Sequence, residues 1–242
     1  MGRDSSSGAR TATAVVVAAG EGTRLGAALP KALVPLGGRP LVAWSLAALD
    51  RAPDVVDIVI VAPPGHVAPV AACAGDLTTR CRVIPGGASR AESVALGLVA
   101  ADLAVPFVLV HDAARPLLTP EMVAAVLRGV GPHRGAILAA PVADTLKRVT
   151  GTTIERSTPR AGLWAAQTPQ AFVADALRDA VGLARATGTL ADATDCASLV
   201  EAAGGDVAVV DPGAPNLKVT TPADLELAAA ILAARSGGTA VG

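Results

Sequence analysis

The sequence predicts an α/β fold in which a mostly parallel central sheet is covered by helices on both faces. Two observations carry that prediction. Short β-rich apolar runs alternate with helical stretches, the pattern of strands joined by crossover helices. A chain of 242 residues, 52% apolar and 17% charged, is also long enough for one substantial core or two small ones. No repeat or long linker divides it, so one domain is expected over residues 12–235. Residues 1–11 and 236–242, rich in Ser, Gly and Thr, read as loose tails.

The elements follow in order. Ala14–Ala19 is a continuous apolar run ending at Gly20, the first expected strand. Leu41–Leu49 is apolar at helical spacing. Val55–Ala62, dense in Val and Ile, is a strand buried on both faces, and the shorter Arg82–Ile84 follows it. A helix is expected over Ser89–Asp102, then a strand at Phe107–Val110, a helix over Pro120–Gly129 and a strand at Ala136–Ala140. Helices over Ala171–Ala186 and Asp192–Ala203 precede a last strand at Val207–Val210. Thr221 is placed to cap a final helix whose first turn holds Pro222. One segment breaks the alternation. Asp144 to Arg160 is polar, β-branched and turn-rich (Thr150-Gly151-Thr152-Thr153), and reads as a β-arm over about 144–160, of the kind that reaches a partner subunit.

Composition excludes several classes of function. A net charge of −1 and 2% aromatic residues leave neither the basic surface nor the stacking rings of a general nucleic-acid binder. Cys73, Cys81 and Cys196 are odd in number and lack metal-ligand spacing, so they read as reduced, mostly buried thiols of a cytosolic protein. No apolar run reaches the roughly 18 residues of a membrane span, and Ala14–Ala19 is too short for a signal-peptide core. A cytoplasmic location without membrane association is expected. Only three of the twenty basic residues are lysines, Lys31, Lys147 and Lys218, and tyrosine is absent. Coding bias explains the scarcity, but it makes the surviving lysines informative. Lysine is a compact point charge, arginine a planar fork.

In open α/β sheets, ligands bind beyond the carboxyl ends of the strands. The segments there are Gly20–Lys31, Pro85-Gly86-Gly87, His111–Pro116 and Pro141–Thr145, all rich in glycine, charge or hydroxyl. The first loop is not a dinucleotide fingerprint, because its glycines fall at Gly20, Gly22 and Gly26 and the second strand ends in Ala62-Pro63-Pro64 rather than an acid. Nor is it a Walker loop, since Lys31 follows Pro30 and precedes Ala32. Its glycines let backbone N–H groups approach a triphosphate, with Arg24 and Lys31 adding charge.

Ala18-Ala19-Gly20-Glu21-Gly22-Thr23-Arg24-Leu25 with Pro30-Lys31 resembles the nucleotidyltransferase signature A-A-G-x-G-x-R-[LM]-x(n)-P-K. Val108-Leu109-Val110-His111-Asp112-Ala113-Ala114-Arg115-Pro116 closely resembles a block of the 2-C-methyl-D-erythritol 4-phosphate cytidylyltransferases of the non-mevalonate isoprenoid pathway. So do Gly86-Gly87 with Arg90 and Ser93, Ala140-Pro141 with Asp144-Thr145, Gly162-Leu163-Trp164 with Gln167-Thr168-Pro169-Gln170, and Asn216-Leu217-Lys218-Val219-Thr220. The matches keep the family's order from about residue 14 to about 232.

That resemblance implies a Rossmann-like fold and cytidylyl transfer from CTP to methylerythritol phosphate, with Mg²⁺ on the nucleotide phosphates and Asp112 as its candidate protein ligand. By motif position, Arg24 and Lys31 stabilise the transition state, while Ala18, Ala19, Gly20 and Gly22 cradle CTP. Gly87 and Ser93 lie near the cytosine. Asp112, Arg115 and Thr145 line the polyol phosphate site, and Arg160 and Lys218 position its phosphate. The resemblance further implies a homodimer in which Arg160 is supplied on an exchanged arm. His66, His111 and His133 form no catalytic constellation, and none is needed, since a phosphate monoester is mostly dianionic at neutral pH. Three positions depart from the family pattern: Val17 stands for a frequent proline, Ala88 for an acid near the base, and Cys196 for the second of two acids. A ribitol 5-phosphate cytidylyltransferase and a sugar-phosphate nucleotidyltransferase using UTP or GTP remain the alternatives; a non-catalytic nucleotide sensor would not need the second-substrate set.

Lys31→Arg and Lys218→Arg are each expected to lower turnover by roughly 10²-fold or more, on the scale of deleting one transition-state donor, with Lys147→Arg tolerated. Steady-state rates of the three variants check this, and near-normal turnover in the first two overturns it.

Overall fold

The computed structural model describes residues 11–20, 25, 29–101 and 104–237. Gly22 and Arg24 lie outside the described residues, as do residues 1–10 and 238–242 of the two expected tails. In chain order the elements are β1 (Ala12–Val17), β2 (Pro35–Leu36), β3 (Arg39–Pro40), α1 (Leu41–Asp50), β4 (Val55–Ala62), α2 (Val67–Ala72), β5 (Arg80–Pro85), α3 (Arg90–Ala100) and β6 (Phe107–Asp112). They continue with α4 (Pro120–Val130), β7 (Gly135–Pro141), β8 (Leu146–Thr150), β9 (Thr153–Thr158), β10 (Trp164–Val173), α5 (Ala174–Ala186), α6 (Cys196–Ala202), β11 (Val207–Val210) and α7 (Pro222–Gly237).

Among the described residues, seven strands form one sheet in the order β11-β7-β10-β6-β1-β4-β5. Its pairs are parallel except those of β10, which runs antiparallel to both β6 and β7. From β1 the chain builds outward through β4 to β5, then returns to the other side of β1 with β6. The direction of winding reverses between β1 and β6, where Val17 pairs with Asp112. Such a reversal opens a crevice at the carboxyl ends of the two strands.

Alternate residues of each strand face opposite sides, and both sides are covered. Val16, Ile58, Ile60 and Leu109 pack in one cluster with Leu46 and Leu49 of α1 and Met122 and Val126 of α4. Val15, Val61, Val108 and Phe172 pack in a second with Val94 of α3, Leu177 of α5 and Leu199 of α6. The mostly parallel sheet with helices on both faces is thus borne out. A third, smaller cluster joins Leu225, Ala228 and Ile231 of α7 to Leu36, Leu117 and Val219.

Side-chain caps set the helix starts. Ser89 Oγ accepts from Glu92 N at 3.1 Å, and Thr119 Oγ1 from Met122 N at 3.4 Å ahead of Pro120. As expected, Thr221 caps α7: its Oγ1 accepts from Asp224 N at 3.2 Å, and Asp224 Oδ2 accepts from Thr221 N at 2.8 Å.

Two elements depart from the sequence reading. The helix expected from Ala171 begins only at Ala174, because Ala171, Phe172 and Val173 finish strand β10. A short apolar run serves either element, and Pro169 argues locally against a strand. It is accommodated where the β7–β10 pairing breaks between Ala166 and Gln170, so no ladder donor is missed there. The helix expected from Asp192 is instead a single 3-10 turn at Leu190–Asp192 followed by α6, whose start Asp195 fixes through a capping box with Ser198. The additional α2 carries Pro69 in its first turn, where its missing N–H is not needed.

β8 and β9 form their own antiparallel ribbon within the expected arm. Gly151 has φ +58°, the positive value that mirror-image hairpin turns require. Val149 and Ile154 are 54% and 59% exposed on it. Among the described residues, no helix is long and apolar enough to cross a membrane, and the three cysteines are free thiols, with Cys196 buried and the other two half-buried.

Candidate active site

At the crevice between β1 and β6, the chain beyond β1 stays on the sheet for one more residue, with Ala18 N donating to Val61 O at 2.9 Å. It then reaches the surface at Gly20. Gly86 lies against this turn: a Cβ there would fall 2.6 Å from Ala19 Cβ and 3.0 Å from Ser93 Oγ. Gly87 N–H donates to Ser93 Oγ at 3.1 Å, so the buried hydroxyl holds the loop and keeps its own proton for another acceptor. Ala18, Ala19, Gly87 and Ser93 are therefore brought together from three segments. Lys31 is half-buried at the start of a 3-10 turn, Lys31–Leu33, after Pro30.

Asp112 ends β6 with 7% of its surface exposed. Its Oδ1 accepts from Arg90 Nε at 2.9 Å and its Oδ2 from Lys218 Nζ at 2.8 Å. Burial alone would raise this carboxyl, but the Arg90 and Lys218 charges hold it well below the usual carboxylate range. Arg115, three residues on, is also buried and donates to Asn216 O at 2.7 Å and Ala166 O at 3.3 Å. Two buried polar atoms here, Arg115 Nε and Asn216 Oδ1, have no partner among the described residues. Such atoms are costly unless a ligand or water satisfies them.

His111 lies beneath this cluster with no exposure. Thr168 Oγ1 accepts from Asp112 N at 3.0 Å, which leaves the Thr168 proton for His111 Nδ1 at 3.2 Å. His111 Nε2–H then donates to Arg115 O at 3.2 Å, with Ser45 Oγ also 3.2 Å away. These bonds select the neutral ring with its proton on Nε2. Burial pushes its pKa down to about 4, so it is not a proton carrier at neutral pH. Gln170 completes the frame, donating to Asp195 Oδ2 at 2.8 Å and accepting from Cys196 N at 3.1 Å.

The structure brings Asp112, Arg115 and Lys218 together, but Asp112 does not fit the part of a direct metal ligand. Each of its oxygens already accepts from a cation, and no cluster of three candidate ligands occurs among the described residues. Thr145 and Arg160 are exposed at the base of the ribbon, where with Ser157, Thr158 and Pro159 they line a shallow cavity of about 340 Å³. No hydrogen bond or ion pair among the described residues joins them to the Asp112 cluster. In the sequence, Arg90, Thr168, Gln170 and Asn216 stand only as parts of motif blocks, without roles. Their one visible signal is that each is a polar residue inside such a block, and the partners that give them roles lie far away in sequence.

Residues 12–234 match the profile of the IspD family, described as 2-C-methyl-D-erythritol 4-phosphate cytidylyltransferase. The chain belongs to this family. It is 46% identical over 222 residues to the 2-C-methyl-D-erythritol 4-phosphate cytidylyltransferase of Frankia casuarinae, covering 91% of this chain and 80% of that one. It is likewise 46% identical over 216 residues to the bifunctional enzyme IspD/IspF of Rhodospirillum rubrum, covering 89% of this chain but 55% of the relative. The chain thus spans about half the length of that bifunctional relative. The crystal structure of the cytidylyltransferase from Thermus thermophilus superposes with a TM-score of 0.75 at 38% identity, covering 90% of this chain and 97% of that one.

Within the cytidylyltransferase family pattern, the departure at Cys196 falls inside the cluster. Its buried Sγ accepts from Arg90 Nη1 at 3.9 Å, and burial pushes the thiol up to about 11. A neutral group here leaves Asp112 as the carboxylate that Arg90 binds. Val17 keeps its place in the sheet, its carbonyl accepting from Ala113 N at 3.0 Å. Ala88 is exposed just before the cap of α3.

His111 takes up a proton near pH 4 in the folded chain and near 6.5 when unfolded. Between those values the unfolded chain binds more protons, so stability is complete above about pH 6.5 and falls as pH drops through the window, by on the order of 3 kcal/mol. Depressed carboxylates such as Asp112 add their loss only below about pH 4. Denaturant midpoints between pH 7 and 4.5 should therefore fall more steeply for the unaltered protein than for His111→Gln, and equal slopes would overturn the neutral assignment.

Proposed function

We propose that this chain transfers a cytidylyl group from CTP to 2-C-methyl-D-erythritol 4-phosphate. The observation that carries the reading is the cationic cluster at the sheet's reversal point. Arg90 and Lys218 each bond the Asp112 carboxylate and Arg115 lies in the same turn, leaving surplus positive charge and unsatisfied polar atoms beside the glycine loops. Such a site suits a dianionic phosphate presented to a nucleotide. An oxygen of the polyol phosphate attacks the α-phosphorus of CTP, forming a new P–O bond. The bond to the bridging oxygen breaks, and its electron pair leaves with pyrophosphate. The nucleophile is already mostly ionised at neutral pH, so the chain's task is to align the two substrates and offset their charge.

Lys218 and Arg115 hold the polyol phosphate, while Lys31 and Arg24 serve the triphosphate. Ala18, Ala19, Gly20 and Gly22 line its path, and Gly87 with Ser93 faces the base. Mg²⁺, held by nucleotide phosphate oxygens and water rather than by Asp112, supplies further charge neutralisation.

The protein acts as a cytoplasmic homodimer. A two-stranded ribbon is marginal in water by itself, and this one exposes Val149 and Ile154, with Leu163 and Trp164 also exposed a few residues beyond it in sequence. Covering them with a second copy would also let Thr145 and Arg160 face the partner's cluster and so complete each site.

Pyrophosphate release measured with four nucleotides and two polyol phosphates tests the reading. Turnover is expected with CTP and methylerythritol phosphate, and turnover with ribitol 5-phosphate in its place overturns the substrate assignment. Mixing inactive Arg160→Ala and Lys31→Ala subunits should restore part of the activity; verified mixed dimers without activity would exclude shared sites.

A further inference from the structure

The segment that carries Lys218 follows β11 and has no regular secondary structure before α7 begins at Pro222. Without a ladder to fix its register, its position depends on individual tethers to the 112–117 segment beyond β6. Lys218 Nζ reaches Asp112 Oδ2 at 2.8 Å, Val219 N donates to Ala114 O at 2.8 Å, and Arg115 Nη1 donates to Asn216 O at 2.7 Å. The far end of this pairing is closed from outside. Arg235, in the last turn of α7, donates through Nη1 to Leu117 O at 2.9 Å and through Nη2 to Pro215 O at 3.1 Å.

We propose that Arg235 is a positioning residue for the polyol phosphate half of the site, clamping the Arg115 and Lys218 segments side by side. One planar guanidinium bridges the main chains of both segments, an arrangement that a lysine point charge does not reproduce. The clamp has a firm base. Leu117, Leu217 and Val219 pack with Leu225, Ala228 and Ile231 of α7, and Leu117, Val219 and Ala228 are fully buried. The same small cluster takes in Val34 and Leu36, on the segment that follows Lys31. α7 therefore touches the supports of both substrate halves, but its paired hydrogen bonds from Arg235 go only to the polyol phosphate half. Arg235 touches no reacting group and acts through Arg115 and Lys218.

This inference rests on the proposed assignment of Arg115 and Lys218 to the polyol phosphate, so its test has two arms. In steady-state kinetics, Arg235→Gln should raise KM for the polyol phosphate by roughly tenfold or more while KM for CTP stays within about twofold. Arg235→Lys should recover only part of the loss. In hydrogen exchange of the unliganded protein, Arg235→Gln should speed amide exchange in residues 113–117 and 216–219 and leave β4 unchanged. Equal rises in both KM values with a lowered unfolding midpoint would reduce Arg235 to a helix staple and overturn the proposal. So would unchanged exchange in the two segments. If the unaltered enzyme does not use the polyol phosphate, the functional assignment fails, and the exchange arm still decides whether Arg235 clamps the segments.

Discussion

A carboxylate buried at the end of a sheet strand must be paired, and the pairing of Asp112 organises the site around it. An uncompensated buried charge costs several kcal/mol even after relaxation, so each Asp112 oxygen takes a cation. Those cations come from far along the chain: Arg90 lies 22 residues before Asp112 and Lys218 lies 106 after it. Satisfying one side chain thus draws α3 and the irregular segment before α7 to the mouth of the crevice between β1 and β6. Arg115, held in the same turn, adds a charge with no carboxylate of its own in the cluster. The result is a pocket rim with more positive than negative charge.

Beneath the charged layer lies a neutral one. His111, Thr168, Gln170 and Asn216 are all buried; His111 and Thr168 bond main-chain groups of the Asp112–Arg115 turn, while Asn216 and Gln170 bond main-chain groups of Thr168 and Cys196. Keeping His111 uncharged avoids adding another positive group under three cations. The antiparallel strand β10 makes this layer possible, because it brings Thr168 beside Asp112 and Gln170 beside Cys196. The strand that interrupts the parallel sheet is therefore also the strand that steadies the site.

The parts of this architecture that were legible in the sequence share a local cause. Val55–Ala62 is a strand because seven of its eight residues are apolar and mostly β-branched, which suits a position buried on both faces. Thr221 and Pro222 announce α7 because capping involves neighbours only. β10 was not legible, since Pro169 and the polar Gln167 and Gln170 look like a loop until two flanking strands supply the pairing. Among the site residues, the glycines and lysines stood out by rarity or position. Arg90 did not, being one of many arginines, and only its 2.9 Å contact with Asp112 distinguishes it.

By itself, the sequence determined the alternation of strands and helices, the loops beyond the strands that face a ligand, and the family to which those loops belong. All of these depend on periodicity or on short contiguous motifs. Only the tertiary structure decided which polar residues answer one another: that Asp112 is engaged by Arg90 and Lys218, that His111 is buried with its Nδ1 against Thr168, and that Arg235 spans two segments from the last helix. Those partners are set by the cost of burying a charge or a hydrogen-bonding group unpaired. That cost is felt only once strands distant in sequence have been laid side by side.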